Sequence, residues 1–226
     1  MINILNLESS ALACSVSIGQ DGQTLISKNS NGEWKHSREI TLLIRDCLKE
    51  SGLAFTDIDA IAVSGGPGSY TGLRVGASAA KGICYAQNIK LLAINTLEII
   101  AFPFLDQMDE DGYVIPMIDA RRDEVYYNIY NKQLEAQVET SNLILDGSSF
   151  EKYVSKPVII CGDGAEKSIP LIEKPQFQYF SSKSLAENMS ALSFDKFKAG
   201  NFEDIAYYSP FYLKLPNITK SKKQLF

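Results

Sequence analysis

The chain reads as an α/β protein built twice over, each half three antiparallel strands followed by strand–helix units, so that two lobes face a cleft. Three observations carry this prediction. Apolar runs ending in an acid recur at Ile2 to Leu7 (then Glu8) and Tyr113 to Ile118 (then Asp119). Each is followed after a short turn by a second strand, and the one at Glu124 to Tyr130 alternates with period two (Val125, Tyr127, Ile129 against Tyr126, Asn128, Tyr130). Each half then carries a buried strand ending in glycines: Ile58 to Val63 before Gly65-Gly66-Pro67-Gly68, and Val158 to Cys161 before Gly162-Asp163-Gly164-Ala165. Antiparallel strands leading into strand–helix units give mixed five-stranded sheets flanked by helices, the ribonuclease-H-like plan.

The elements follow in order. After Ile2 to Leu7 come Ala13 to Ile18 and a third strand at Thr24 to Ser27. Ser37 is a good N-cap residue and Gly52 a good stop for a helix over 37–51, whose Ile40, Leu43, Ile44, Cys47 and Leu48 form one apolar face. Leu42 lies off that face. The Gly-Pro-Gly turn opens a helix containing Gly72, Gly76 and Gly82, each costing about 1 kcal/mol against alanine. A strand at Lys90 to Ile94 and a helix from Thr96 complete the first lobe. Asp106 to Gly112, acidic and glycine-ended, is the expected linker. The second lobe continues with a strand near Gln137 to Ser141, a weak helix around Ser148 to Val154, and the buried strand. A short helix, a strand at Gln176 to Phe180 and a helix at Ser184 to Ala199 finish it. The expected division is residues 1–106, 107–212 and a basic tail, 213–226.

Composition narrows the function. At 226 residues and 45% apolar content the chain can bury a real core, and no apolar run approaches membrane-spanning length. The N-terminus lacks the basic start of a signal peptide. Cys14, Cys47, Cys84 and Cys161 sit in apolar segments without a Cys-x-x-Cys pair, as expected for reduced thiols in the cytoplasm. Net charge is −5, but Leu213 to Phe226 holds four lysines and no acids, so the remaining 18 basic and 27 acidic residues leave −9. A body this acidic is a poor independent RNA binder.

The chemistry tests are mostly negative. A Gly-rich strand-to-helix turn can hold an anion or a close-packed partner, but neither the Walker spacing nor the dinucleotide fingerprint is present, and no nucleophile elbow is formed at Ser78. Glu8, Asp119 and Asp163 stand at equivalent strand ends. The turns after Glu8 and Asp119 lack the glycines of a phosphate hairpin, so the acids are expected to cap turns or pair with Arg121 and Arg122. His36 is the only histidine, which leaves no metal pair; a serine or cysteine nucleophile would need it as base, and no motif supports that. No catalytic, cofactor or metal residues are assigned. What remains is the small-residue stripe Gly72, Gly76, Ala79, Ala80 and Ile83, with Leu42 beside it, predicted to receive another helix at close range. On this reading Gly76→Leu blocks pairing while the isolated chain still folds.

These residues resemble the TsaB family, the non-catalytic subunits of the bacterial machinery that makes N6-threonylcarbamoyladenosine beside the anticodon of tRNA. The similarity rests on Ile4 to Ser10, Ala13 to Val16, His36-Ser37, Asp57 to Val63, the Gly65 to Arg74 turn, Asp119-Ala120-Arg121 with Glu124-Val125-Tyr126, Gly162 to Ala165, and Pro210 to Lys214. One departure is Glu8, where the family usually carries Asp; Glu8-Ser9-Ser10 is similar to the catalytic paralogue TsaD. The resemblance implies an actin/Hsp70/sugar-kinase (ASKHA) fold and no transferase activity of its own. It also implies a heterodimer with TsaD through the first lobe's helices, and work with the ATPase TsaE. A homodimer when TsaD is absent and tRNA contact only through the complex are further expectations. Alternatives are a metal-dependent glycoprotease-like peptidase and a nucleotide-binding ASKHA protein.

Overall fold

The computed structural model describes residues 1–11, 13–30, 36–172 and 174–214. The tail expected beyond Lys214, and the side chains of the helix start at His36 and Ser37, lie outside the described residues.

Two five-stranded mixed sheets form the fold. The first has the order β3-β2-β1-β4-β5, from β1 (Asn3–Glu8), β2 (Ser15–Gln20), β3 (Gln23–Asn29), β4 (Ala60–Ser64) and β5 (Lys90–Ile94). The second repeats it as β8-β7-β6-β9-β10, from β6 (Tyr113–Asp119), β7 (Glu124–Tyr127), β8 (Ser141–Ile144), β9 (Val158–Cys161) and β10 (Phe177–Phe180). In each, the first strand pairs antiparallel with the second and parallel with the fourth. This is the predicted ribonuclease-H-like plan, duplicated in two sheets of the same strand order.

Helix α1 (His36–Ser51) buries Ile40, Ile44, Cys47 and Leu48 against the first sheet, and Leu42, off that face, is 40% exposed. Burying each large aliphatic side chain contributes about 1.5–3 kcal/mol, which is what holds α1 down. Helix α2 (Tyr70–Gln87) is capped by Ser69, whose hydroxyl accepts from the Gly72 amide, and ends in a left-handed Asn88. Helices α3 (Thr96–Ala101), α4 (Ala165–Ile172) and α5 (Met189–Lys198) complete the layers.

The second lobe departs from expectation in its weak elements. Strand β7 stops at Tyr127 and β8 begins at Ser141, four residues later than the predicted strand; between them Tyr130 bridges Val114 and Ala136 instead of extending the ladder. The weak helix is one turn of 3-10 helix at Glu151–Tyr153.

The two final helices cross over. Leu97, Ile100 and Ala101 of α3 pack with Val114, Tyr130, Ile159 and Cys161 of the second lobe. Ala186 and Met189, with Leu192 and Phe197, pack with Ile4, Ala60, Ala62, Leu92 and Ile94 of the first sheet. The sheets divide between Ile94 and Tyr113, but the hydrophobic packing does not follow that division. Polar contacts tie α5 down as well: Ser184 Oγ donates to Glu8 Oε2 at 2.6 Å, the Ala186 amide to Ser15 Oγ at 2.9 Å, and Ser17 Oγ to the Ala186 carbonyl at 2.7 Å. Among the described residues no helix is long and apolar enough to cross a membrane.

Candidate functional site

The strand-end acids hold the chain together. Glu8 is fully buried; one carboxylate oxygen accepts from the Ser10 amide and the Ser10 hydroxyl, both at 2.6 Å, and the other from Ser184 Oγ. Desolvation pushes its pKa up, partly offset by these donors. Asp119 accepts from the Arg121 amide at 2.6 Å and from Lys167 Nζ at 2.5 Å. Asp163 accepts from the Asp119 amide at 2.8 Å, and partial desolvation pushes its pKa up as well. These acids cap turns as the sequence suggested, but the pairing cation is Lys167 of α4, not Arg121 or Arg122. Sequence spacing could not bring in a lysine 48 residues away.

A sign follows for Glu8. Between the unfolded value and the raised folded one, the native state binds more protons, so stability falls as pH rises through that window. Glu8→Gln keeps the site neutral at every pH. The variant should therefore gain relative to the parent at pH 7.5 and lose that advantage towards pH 4.5, read as denaturation midpoints. A constant difference between the two would reject the assignment.

The Gly-rich turn is folded onto its own chain. The Gly65 amide donates to the Ile94 carbonyl (2.7 Å), Ser69 to the Ser10 carbonyl (2.7 Å), Gly72 to Ser69 Oγ (3.2 Å) and Leu73 to the Ser69 carbonyl (2.8 Å). These donors are committed internally, so the close-packed partner of the turn is the Ser9-Ser10 segment. The Ser9 hydroxyl donates to the Gly72 carbonyl at 2.8 Å. A side chain at Gly72 would run into the Ser9 carbonyl, and one at Gly76 into the Ser9 hydroxyl, with a Val63 methyl at 3.2 Å. The stripe is real but faces inward. Gly72, Gly76 and Ala80 are buried in the first lobe, so these three do not offer a partner surface. Ala79 and Ile83 are half-buried and Leu42 exposed; of the predicted residues these three border open surface.

The opposite face of α2 is the open one. Thr71, Arg74, Ser78, Gly82 and Tyr85 are exposed at helical spacing, Tyr85 by 84%. Thr71, Arg74 and Ser78, with Ile40 and Thr41 of α1 and Tyr70, Val75 and Ala79, border a groove of about 540 Å³ between the two helices, and Gly82 and Tyr85 continue the same helix face beyond it. Gly82 is the informative member: a Cβ there would meet nothing within 4 Å. The fold needs no glycine at that position, and a mid-helix glycine costs about 1 kcal/mol against alanine. One wall is stiffened by the C-terminal segment, where Tyr212 stacks on Tyr70 at 4.9 Å and Lys81 Nζ donates to the Tyr208 carbonyl at 3.0 Å. Arg74 lies over the Tyr70 ring and donates to its hydroxyl at 3.2 Å. The signal in the sequence was the second helical phase, 71-74-78-82-85, masked by the glycines of the first.

A second crevice, about 470 Å³, lies between the end of β5 and residues 203–211, lined by Gly65, Asn95, Glu203, Asp204, Tyr208 and Phe211. Its charges are carboxylates, which suit no phosphate. Among the described residues no three His, Cys, Asp or Glu side chains converge as a metal set.

Residues 31–207 match the family model described as TsaD, tRNA N6-adenosine threonylcarbamoyltransferase. The chain is similar to the tRNA threonylcarbamoyladenosine biosynthesis protein TsaB of Haemophilus influenzae, 33% identical over 127 residues, 56% of this chain and 53% of that one. Its likeness to the TsaB protein of Bacillus subtilis is 32% over 142 residues, 61% of each. These matches span less than two thirds of the relatives' lengths. Among solved structures it is similar to YeaZ from Pseudomonas aeruginosa, with a TM-score of 0.81 and 26% identity, covering 94% of this chain and 100% of that one.

Proposed function

This chain belongs to the family described as TsaD, tRNA N6-adenosine threonylcarbamoyltransferase, and from that premise we propose that it is a TsaB-type, non-catalytic partner subunit in tRNA threonylcarbamoyladenosine synthesis. It acts in the cytoplasm by docking a TsaD-type catalytic subunit on the outer face of α1 and α2, and works with a TsaE-type ATPase. The observation that carries this is Gly82. An exposed mid-helix glycine with open space around it has no use in the isolated fold, but beside Ser78 and Ala79 it permits close approach of a second helix. Leu42, exposed on α1, supplies an apolar contact, and the depleted charge of the groove suits the core of an interface. When the catalytic subunit is absent, the same face pairs two copies of this chain.

Non-catalytic action is supported by the strand-end acids, whose oxygens are taken up by Ser10, Ser184, Arg121 and Lys167. tRNA is reached through the complex, because the body carries −9. Depletion of the protein in its host tests this reading: threonylcarbamoyladenosine should disappear from tRNA. Unchanged modification, or failure of the purified chain to co-elute with the catalytic subunit, would refute it.

A further inference from the structure

The turn between β6 and β7 is held by a dense set of hydrogen bonds, and what it presents to solvent is a pair of arginines. Arg121 and Arg122 both lie in the left-handed region, with φ of 73° and 52°. Two consecutive non-glycine residues there are uncommon, and arginine has no short side chain to hydrogen-bond locally and ease the cost. Strain of this kind persists only where surrounding contacts impose it. Here they do. Lys167 Nζ donates to Asp119 Oδ1 at 2.5 Å, to the Arg122 carbonyl at 2.8 Å and to the Glu124 carbonyl at 2.6 Å. The Arg121 amide is held by Asp119, the Ala120 amide by the Glu124 carbonyl (3.0 Å), and the Asp119 amide by Asp163. Glycines would make the same turn without strain.

The nearby acids are already paired with other cations, Asp119 with Lys167 and Glu124 with Lys214. Among the described residues neither guanidinium has a hydrogen bond or an ion pair, and both side chains are exposed. Asp123 is the one exposed acid in the turn itself. Lys214, anchored on Glu124 and lying 5.9 Å from the Tyr126 ring centre, begins the acid-free stretch that carries Lys220, Lys222 and Lys223. On a body that carries −9, the structure thus sets Lys214 on the same turn as two arginines that have no partner among the described residues.

We propose that the Arg121–Arg122 turn grips the phosphodiester backbone of the tRNA held by the assembled complex. This rests on the tRNA-modification reading above. The guanidinium forks suit phosphate oxygens, and the fixed turn presents them without further ordering of backbone. The contact positions RNA and carries no base specificity.

The test is the double variant Arg121→Gly/Arg122→Gly in the complex of this chain with its catalytic and ATPase partners, titrated with unmodified tRNA over a range of salt. Three results are expected together. The isolated variant melts higher than the parent, because glycine relieves the strained turn. Its complex elutes as the parent's does. Affinity for tRNA falls roughly tenfold near physiological salt, and the slope of log affinity against log salt becomes shallower by about 1.4–1.8, the loss of two phosphate contacts. Parental affinity and slope in an intact complex would overturn the proposal. So would failure of the variant to assemble, which would place the arginines against carboxylates of a partner subunit, and so would a lowered melting temperature, which would make their side chains braces of the turn. A parental complex that itself does not form or hold tRNA would instead refute the underlying functional reading.

Discussion

Gly76→Leu should yield a chain whose native fold is only marginally stable. The Cβ of any residue at 76 would fall on the Ser9 hydroxyl, with a Val63 methyl at 3.2 Å behind it. Ser9 cannot retreat cheaply, since its hydroxyl holds the Gly72 carbonyl and its amide is held by Ser64 Oγ at 3.2 Å. Overpacking a well-filled site costs about 1–3 kcal/mol and occasionally more, and the lost hydrogen bond adds roughly 1 kcal/mol. Against a total stability of about 5–15 kcal/mol, such a loss leaves a marginal protein. Circular dichroism and yield of soluble chain read the outcome directly. The stripe's sequence-level prediction, a folded chain that merely fails to pair, is therefore revised: loss of pairing here would follow from loss of fold. A variant melting within a few degrees of the parent would show that α2 can move off the Ser9-Ser10 turn.

Ser78→Arg should do the opposite, leaving the fold intact and abolishing association with the catalytic subunit. Ser78 is exposed, on the same face of α2 as Thr71 and Gly82, and borders the groove against Ile40 and Thr41. Arginine is a good helix former and has free space there, so stability should stay within about 0.5 kcal/mol. In a close helix–helix contact, however, a long charged side chain must be buried unpaired or hold the helices apart, each costing several kcal/mol. A loss of at least a hundredfold in affinity is expected by calorimetry, together with loss of any homodimer in light scattering. Gly82→Ala is the matched control: it should raise the stability of the isolated chain by about 1 kcal/mol, because no neighbour offsets the glycine's cost. Undiminished pairing by Ser78→Arg would move the interface elsewhere.

The two variants lie two residues apart in one helix, and their contrast marks where sequence reasoning stopped. A run such as Gly72, Gly76, Ala80 states that something approaches α2 closely. It does not state whether that neighbour is another subunit or a turn 63 residues upstream, and here it is the Ser9-Ser10 turn. The exposed phase through Arg74, Ser78 and Gly82 has the same periodicity and weaker composition, so it was hidden by the stronger one. Long-range pairing limited the acids in the same way: the capping roles of Glu8 and Asp119 were legible, while Lys167 and Ser184 as their partners were not. In the second lobe, Gln137 to Ser141 had propensity for a strand but no fixed register, and pairing with β7 settled it at Ser141–Ile144.

Local pattern was enough to determine the duplicated strand–helix order, the buried strands before each glycine turn, the amphipathic α1 and the acidic body with its basic end. Those features depend on residues within one element, whose periodicity and turn chemistry are set by neighbours along the chain. Tertiary structure alone decided which face of α2 is sealed, which lobe α3 and α5 cover, and which cations the strand-end acids meet. The reason is physical: burial and pairing are properties of surfaces brought together from distant segments, and a helix carries no internal mark of the side from which its neighbour arrives.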